Sequence, residues 1–304
     1  MERPDTEQQQ TPTLPLPGRA RTASRAPRVS SGDRLGPWRL LEPAGEGSGG
    51  RVYRAQHVLL GREVAVKVLH RALWAEPEDV ARFVHEARLS ARVDHPYVVS
   101  AEHVEPGGRD VPTWAVSRWV EGESLAVRLR RNLLGLSEAL TVAAQLASGL
   151  AAVHAAGILH GDLKPENILL SDSGAHLLDF GAARERGRPR GVLRGTPAYL
   201  SPEVVRGEPA DGRADLFALG CVLHLSLTGR PAFPPGDPGT LLQQRASAHP
   251  ALPLPKRTGE GERVPPVLRA LVLRLLEPAA VRRPGSAGEV AEVLAQLQRS
   301  VAGA

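Results

Sequence analysis

The sequence predicts an α+β chain whose strands gather in its first third and whose helices fill the rest. Three observations lead there. Two β-prone stretches, 38–44 and 63–69, flank a glycine-rich run, and the second puts Val64, Val66 and Val68 on one face and Ala65, Lys67 and Leu69 on the other. A single helical stretch, about 78–93, interrupts this strand-rich part. Beyond it, apolar residues recur at helical spacing from 137 to 154, at Leu140, Ala143, Ala144, Ala147, Leu150 and Ala151, and a last helix is expected over about 287–300.

With 304 residues and 42% hydrophobic composition the chain can bury a substantial core, as one large domain or two lobes. Residues 1–37 are rich in Pro, Gln, Thr, Ser and Arg without apolar periodicity, the composition of a solvated tail. Its Thr6, Thr11, Thr13, Thr22, Ser24, Ser30 and Ser31 are candidate phosphoacceptors. The start of the chain does not resemble a signal peptide, the single cysteine, Cys221, forms no intrachain disulfide, and no apolar run is expected to cross a bilayer. A cytoplasmic chain without a membrane span is the expectation. The net charge of +5 comes mostly from arginines spread along the chain and interleaved with acids, so nucleic acid is not an expected partner.

Taken in order, strand 38–44 runs into Gly45-Glu46-Gly47-Ser48-Gly49-Gly50-Arg51-Val52-Tyr53-Arg54-Ala55. Glycines at 45, 47 and 50 let backbone approach phosphate closely, with amide N–H groups free to donate. Dinucleotide-binding folds use the same spacing but need a helix directly after it, whereas 52–55 is β-prone and another strand follows. Lys67 shares its strand face with small Ala65, which leaves room for a planar ring beside it. Strands at about 99–104 and 113–119 come next, and then Ser137 is expected to cap the long helix that Gly157 ends. Residues 168–170 and 176–178 read as a hairpin around a turn at 171–174, which returns Asp179 to the loop before it.

That loop, His160-Gly161-Asp162-Leu163-Lys164-Pro165-Glu166-Asn167, sets a carboxylate, an ammonium and an amide on one short segment. A phosphoryl group in flight needs an acceptor hydroxyl steered by a base, a cation to absorb developing charge, and ligands for Mg²⁺. Asp162, Lys164 and Asn167 supply these in order.

The loop and the following Asp179-Phe180-Gly181 resemble the catalytic loop and Mg²⁺-binding triplet of eukaryotic-like protein kinases, with Lys164 placed as in the serine/threonine type. Gly161 stands where most such kinases carry Arg, and small-molecule phosphotransferases also use a His-Gly-Asp start, so the loop alone leaves both readings open. The stretch Gly195-Thr196-Pro197-Ala198-Tyr199-Leu200-Ser201-Pro202-Glu203 resembles the peptide-substrate platform of Ser/Thr kinases, which small-molecule transferases lack. Asp215-Leu216-Phe217-Ala218-Leu219-Gly220 resembles the start of the family's buried F-helix, and Glu277-Pro278 with Arg283-Pro284 its closing motif. The chain over 38–298 is similar to bacterial Hanks-type serine/threonine kinases. This implies a two-lobed protein kinase fold, with a small antiparallel N-lobe carrying one helix (38–117), a hinge (118–122) and a mainly helical C-lobe (123–298).

The resemblance also assigns roles. It implies ATP with Mg²⁺, or Mn²⁺, under the run from Gly45 to Arg51, with Ala44, Val52, Ala65 and Leu169 around the adenine and backbone of 118–120 bonding it. Ser117 would be the gatekeeper, Lys67 would meet the α- and β-phosphates and pair with Glu86, and Asp179 and Asn167 would hold the metal. Asp162 would orient a protein Ser or Thr hydroxyl and accept its proton, while Lys164 neutralises the γ-phosphate. His154 and His160 are expected to be packing residues, the latter under Phe180, Cys221 to be inert core, and Glu203 to pair with Arg283 or, as the alternative, Arg282. A pseudokinase scaffold is the rival reading, with the small-molecule transferase behind it. Gly161 and the absence of Ser, Thr and Tyr between Gly181 and Gly195 imply a kinase that needs no activation-loop phosphate, with Thr196 the one remaining hydroxyl. Arg184, Arg186, Arg188, Arg190 and Arg194 read as a solvated basic loop, with a preference for acidic substrate sequences as the alternative.

Overall fold

The computed structural model describes residues 29–47, 49–108, 110–186 and 194–302. Ser48, Arg188, Arg190 and the tail hydroxyls of Thr6, Thr11, Thr13, Thr22 and Ser24 lie outside them.

Strands β1 (Arg34–Leu35), β2 (Trp38–Gly47), β3 (Gly50–His57) and β4 (Glu63–Leu69), helix α1 (Pro77–Ser90), and strands β5 (Ala101–Glu105) and β6 (Trp114–Arg118) form the N-lobe. Its antiparallel sheet has the order β1-β2-β3-β4-β6-β5. Alternation places Val64 and Val66 in the core with Leu40, Tyr53, Trp74, Phe83 and Trp114, and leaves Ala65 and Lys67 half-buried on the other face. The tail ends earlier than the composition suggested. Leu35 is buried and pairs with Trp38, and the Tyr53 hydroxyl donates to the Val29 carbonyl at 3.0 Å, so packing recruits residues that have no periodicity of their own. Helix α1 starts on Pro77 with Glu78 and Asp79 in its first turn, as the positive end of a helix favours. It stops at Ser90 rather than about 93, where the Ser90 hydroxyl donates to Ala87 O and accepts from Ala101 N, a local alternative to another helical turn.

The C-lobe follows with β7 (Glu123–Ser124), α2 (Leu125–Arg131), α3 (Leu136–Ala155), β8 (Ile158–Leu159), β9 (Ile168–Ser171), β10 (Gly174–Leu177) and β11 (Arg184–Glu185). Helices α4 (Pro202–Val205), α5 (Arg213–Thr228), α6 (Pro238–Ala246), α7 (Pro266–Leu275) and α8 (Ala287–Ala302) complete it. Helix α3 does not begin at a Ser137 cap. Ser137 lies inside its first turn, and Glu262, far along the chain, accepts the Leu136 amide at 2.6 Å in its place. By length and apolarity α3 could cross a membrane, contrary to expectation, but more than half of it is buried in the lobe core beside α5. Helix α5 is buried along most of its length, and Cys221 within it has its thiol pushed up to about 12 by burial, an inert group.

The Glu203–Arg283 pair forms, with guanidinium nitrogens 2.7 and 2.9 Å from the two carboxylate oxygens and both residues buried. Arg282 is mostly exposed instead. This pair ties α4 to the segment before α8.

Candidate active site

The loop 160–167 lies between β8 and β9, and α5 fixes it from beneath. Asp215, at the start of α5 and 2% exposed, accepts the backbone N–H of His160 at 3.0 Å and of Gly161 at 2.9 Å, and binds His154 Nε2 at 2.8 Å. Burial pushes its carboxyl up, but the His154 hydrogen bond and the donors around it win and hold it below the ordinary carboxylate value. A buried carboxylate survives only with such partners. Gly161 takes φ +75°, and a Cβ there would lie 2.6 Å from the Ala182 carbonyl oxygen, so the His-Gly-Asp start is a backbone requirement in this arrangement. The His160 ring packs 5.1 Å from that of Phe180, with Nε2 3.0 Å from Leu178 O.

Both oxygens of Asp162 are engaged. Oδ1 accepts the amide and the hydroxyl of Thr196, each at 3.0 Å, and Oδ2 accepts Asn167 Nδ2 at 3.0 Å and lies 2.7 Å from Lys164 Nζ. Lys164 Nζ also donates to Thr196 Oγ1 at 2.8 Å, so Asp162, Lys164, Asn167 and Thr196 form one network. Asn167 Nδ2 donates to the Asp162 carbonyl as well, which turns its amide protons toward Asp162 and leaves Oδ1 as an oxygen donor.

The hairpin β9–β10 leads to Asp179, which follows Leu178, whose amide donates to the Asn167 carbonyl at 2.9 Å, and Asp179 itself takes φ +54°. Lys67, opposite Val52 on β3 and Ala115 on β6, reaches Asp179 Oδ1 at 2.6 Å. Burial would raise the Asp179 carboxyl, but the charge and hydrogen bond of Lys67 hold it low. The expected Lys67–Glu86 pair is therefore absent. Glu86 on α1 faces Arg194 at 3.8 Å, and burial first, with the charge of Asp179 after it, pushes its carboxyl up to about 7. The charge of Lys67 still reaches Glu86 and opposes that rise without a direct contact, and Arg194 comes to α1 from the segment after Gly181.

Around the glycine run, Gly47 pairs with Gly50 and Glu46 with Arg51, whose side chains join at 2.9 Å across the exposed hairpin. Val52, Ala65 and Leu169 are half-buried and Ala44 and Gly45 exposed, while Gly49 sits beside the Lys67 side chain. Ser117 pairs with Ala65 on one side and Ala101 on the other. A cavity of 320 Å³ opens on the α1 side of Asp162, lined by Arg82, Glu86, Gly161, Arg194 and Thr196, and does not include Val52, Ala65 or Lys67.

Sequence reasoning missed Asp215 as the clamp of the loop and Arg194 as the partner of Glu86. The signal for Asp215 was a lone carboxylate opening the apolar run that follows it, while Arg194 had none beyond its charge.

Comparison with known proteins agrees with this geometry. Residues 38–296 match the model of the protein kinase domain. The chain is 44% identical over 271 residues to the serine/threonine-protein kinase pkn2 of Myxococcus xanthus, an alignment covering 86% of this chain and 32% of that protein. It is 38% identical over 277 residues to the DNA damage-responsive serine/threonine-protein kinase RqkA of Deinococcus radiodurans, covering 88% and 40%. With the serine/threonine-protein kinase PknH of Mycobacterium bovis it shares 35% over 266 residues, covering 86% and 44%. The chain thus spans well under two thirds of the length of these relatives. The family match runs through both lobes, from the first long strand to the last helix, and the chain belongs to the protein kinase domain family.

Proposed function

We propose that this chain is a bacterial Hanks-type serine/threonine kinase that transfers the γ-phosphoryl group of ATP to Ser or Thr hydroxyls of proteins. The observation that carries the reading is the network at Asp162, where a carboxylate is oriented by Thr196 on one oxygen and by Asn167 and Lys164 on the other. In this reading Asp162 orients the acceptor hydroxyl and takes its proton as the new bond forms, and Lys164 balances the charge on the transferred group. The glycine hairpin covers the phosphates, and Lys67 leaves Asp179 for the α- and β-phosphates as Glu86 exchanges Arg194 for Lys67. Val52, Ala65 and Leu169, with Ala44, enclose the adenine. The names of all three relatives support a serine/threonine acceptor, and the stretch 195–203 supports a polypeptide one.

The Asp179 carboxylate and Asn167 Oδ1 are hard oxygen donors, and two such donors suit a cation that keeps waters and takes phosphate oxygens, so they fit Mg²⁺ or Mn²⁺. Bound there, the cation would neutralise phosphate charge. ATP as the donor argues for work in the cytoplasm, within bacterial signalling.

The test is incubation with Mg²⁺, γ-labelled ATP and a generic protein acceptor, followed by acid hydrolysis of the labelled protein. Phosphoserine or phosphothreonine is expected. Label confined to small molecules, or no label at all, would contradict the proposal.

A further inference from the structure

Strand β4 ends at Leu69, and the next residue is set on a rigid corner. Leu69 pairs with Gly50, where a Cβ would lie 2.2 Å from the Val68 carbonyl oxygen, so β3 and β4 come together closely only because residue 50 has no side chain. The Trp74 indole N–H donates to Leu69 O at 2.7 Å, and the Leu73 amide to His70 O at 2.8 Å, closing the short 3-10 turn Arg71–Leu73. From this corner the His70 imidazole reaches back across Gly50 to the glycine hairpin, with Nε2 2.6 Å from the carbonyl oxygen of Gly47. A carbonyl only accepts, so the ring carries its proton on Nε2 here.

We propose that His70 is a positioning residue that latches the glycine hairpin over the phosphates of the nucleotide. The proposal rests on the ATP-binding reading above. A glycine-rich turn is entropically costly to hold in one shape, and a phosphate needs its amide donors while its carbonyls repel phosphate oxygens. The latch engages an acceptor that phosphate cannot use, and so fixes the loop without consuming a donor. It acts from the corner directly after β4, the strand that carries Lys67, so the loop and the lysine are referenced to one rigid element. The Glu46–Arg51 pair ties the two arms of the hairpin to each other only, which leaves His70 to set the height of the hairpin over the cleft.

The experiment is equilibrium binding of a fluorescent ATP analogue with Mg²⁺, together with steady-state kinetics, for the wild-type chain, His70→Ala and His70→Gln, with thermal melts as a folding control. Loss of one hydrogen bond predicts that His70→Ala raises both Kd and KM for the nucleotide about three- to tenfold, with kcat within about twofold. His70→Gln, which keeps an N–H donor, is expected to recover most of the loss. Equal Kd for wild type and His70→Ala, or equal impairment of the Ala and Gln variants, would overturn the latch while leaving the ATP site standing. Failure of the wild type to bind the analogue would overturn both.

Discussion

Lys67 Nζ lies 2.6 Å from Asp179 Oδ1, and this contact replaces the ion pair with Glu86 that the sequence suggests. Glu86 is left desolvated on α1, with Arg194 at 3.8 Å and the charges of Lys67 and Arg82 too weak to offset its burial. An ionised carboxylate is costly in such a place, and its rise to about 7 expresses that cost.

A pH dependence follows. Because the folded value lies above the ordinary 4.5, Glu86 contributes stability that is complete below about 4.5 and lost as pH rises through about 7. The difference amounts to roughly 3 kcal/mol at about 1.4 kcal/mol per pH unit. Glu86→Gln cannot ionise, so denaturant unfolding at pH 5 and pH 8 is expected to show the wild type losing ground to the variant at the higher pH. Parallel behaviour would mean that Glu86 titrates normally.

Asp215 holds the loop 160–167 through two successive amides and His154. Asp215→Ala leaves these donors buried without an acceptor, at a cost of about 3–5 kcal/mol in unfolding free energy. Asp215→Asn keeps one acceptor and should lose less. In the Asn variant kcat is expected to fall well beyond any change in nucleotide Kd, since the loop carries Asp162 and leaves the glycine hairpin untouched.

Much of this site was legible in local sequence. The glycine spacing, the alternating strand around Lys67 and the carboxylate-ammonium-amide loop each stand out within a few residues, and the structure joins Asp162, Lys164 and Asn167 in one network and pairs Lys67 with Asp179. The partner of Lys67 was not legible, because Asp179 and Glu86 compete for it and the outcome depends on where α1 and Arg194 settle. The helix cap from Glu262 and the strand at Arg34–Leu35 were hidden for the same reason. Both come from contacts between distant parts of the chain, and no window of sequence contains them.

Two buried arginines in the C-lobe should respond in opposite ways. Arg283 is fully paired with Glu203, so Glu203→Ala strands its charge and is expected to cost about 3–5 kcal/mol. Arg245, 2% exposed, lies 3.5 Å over the Phe233 ring with Ala198 O as its hydrogen-bond acceptor, and its Nε and Nη1 are unbonded among the described residues. Burial lowers its pKa, which marks an ill-solvated charge. Arg245→Met is expected to be neutral or stabilising, as urea midpoints of the two variants would reveal.

Residues 182–194 offer no hydroxyl, and the close approach of Ala182 O to Gly161 leaves no place for an arginine side chain to receive a phosphate. Phosphatase-treated protein is therefore expected to keep its activity within about twofold. Loss of activity together with a phosphate mapped by mass spectrometry to 182–196 would contradict this.

The most direct test of the account is the turnover of Asp162→Asn beside the wild type, with nucleotide Kd measured on the same preparations. The account predicts a fall in kcat of about 10²–10⁴-fold with Kd nearly unchanged, because Asp162 steers the acceptor hydroxyl and leaves the nucleotide to other groups. Full turnover by the variant would contradict it.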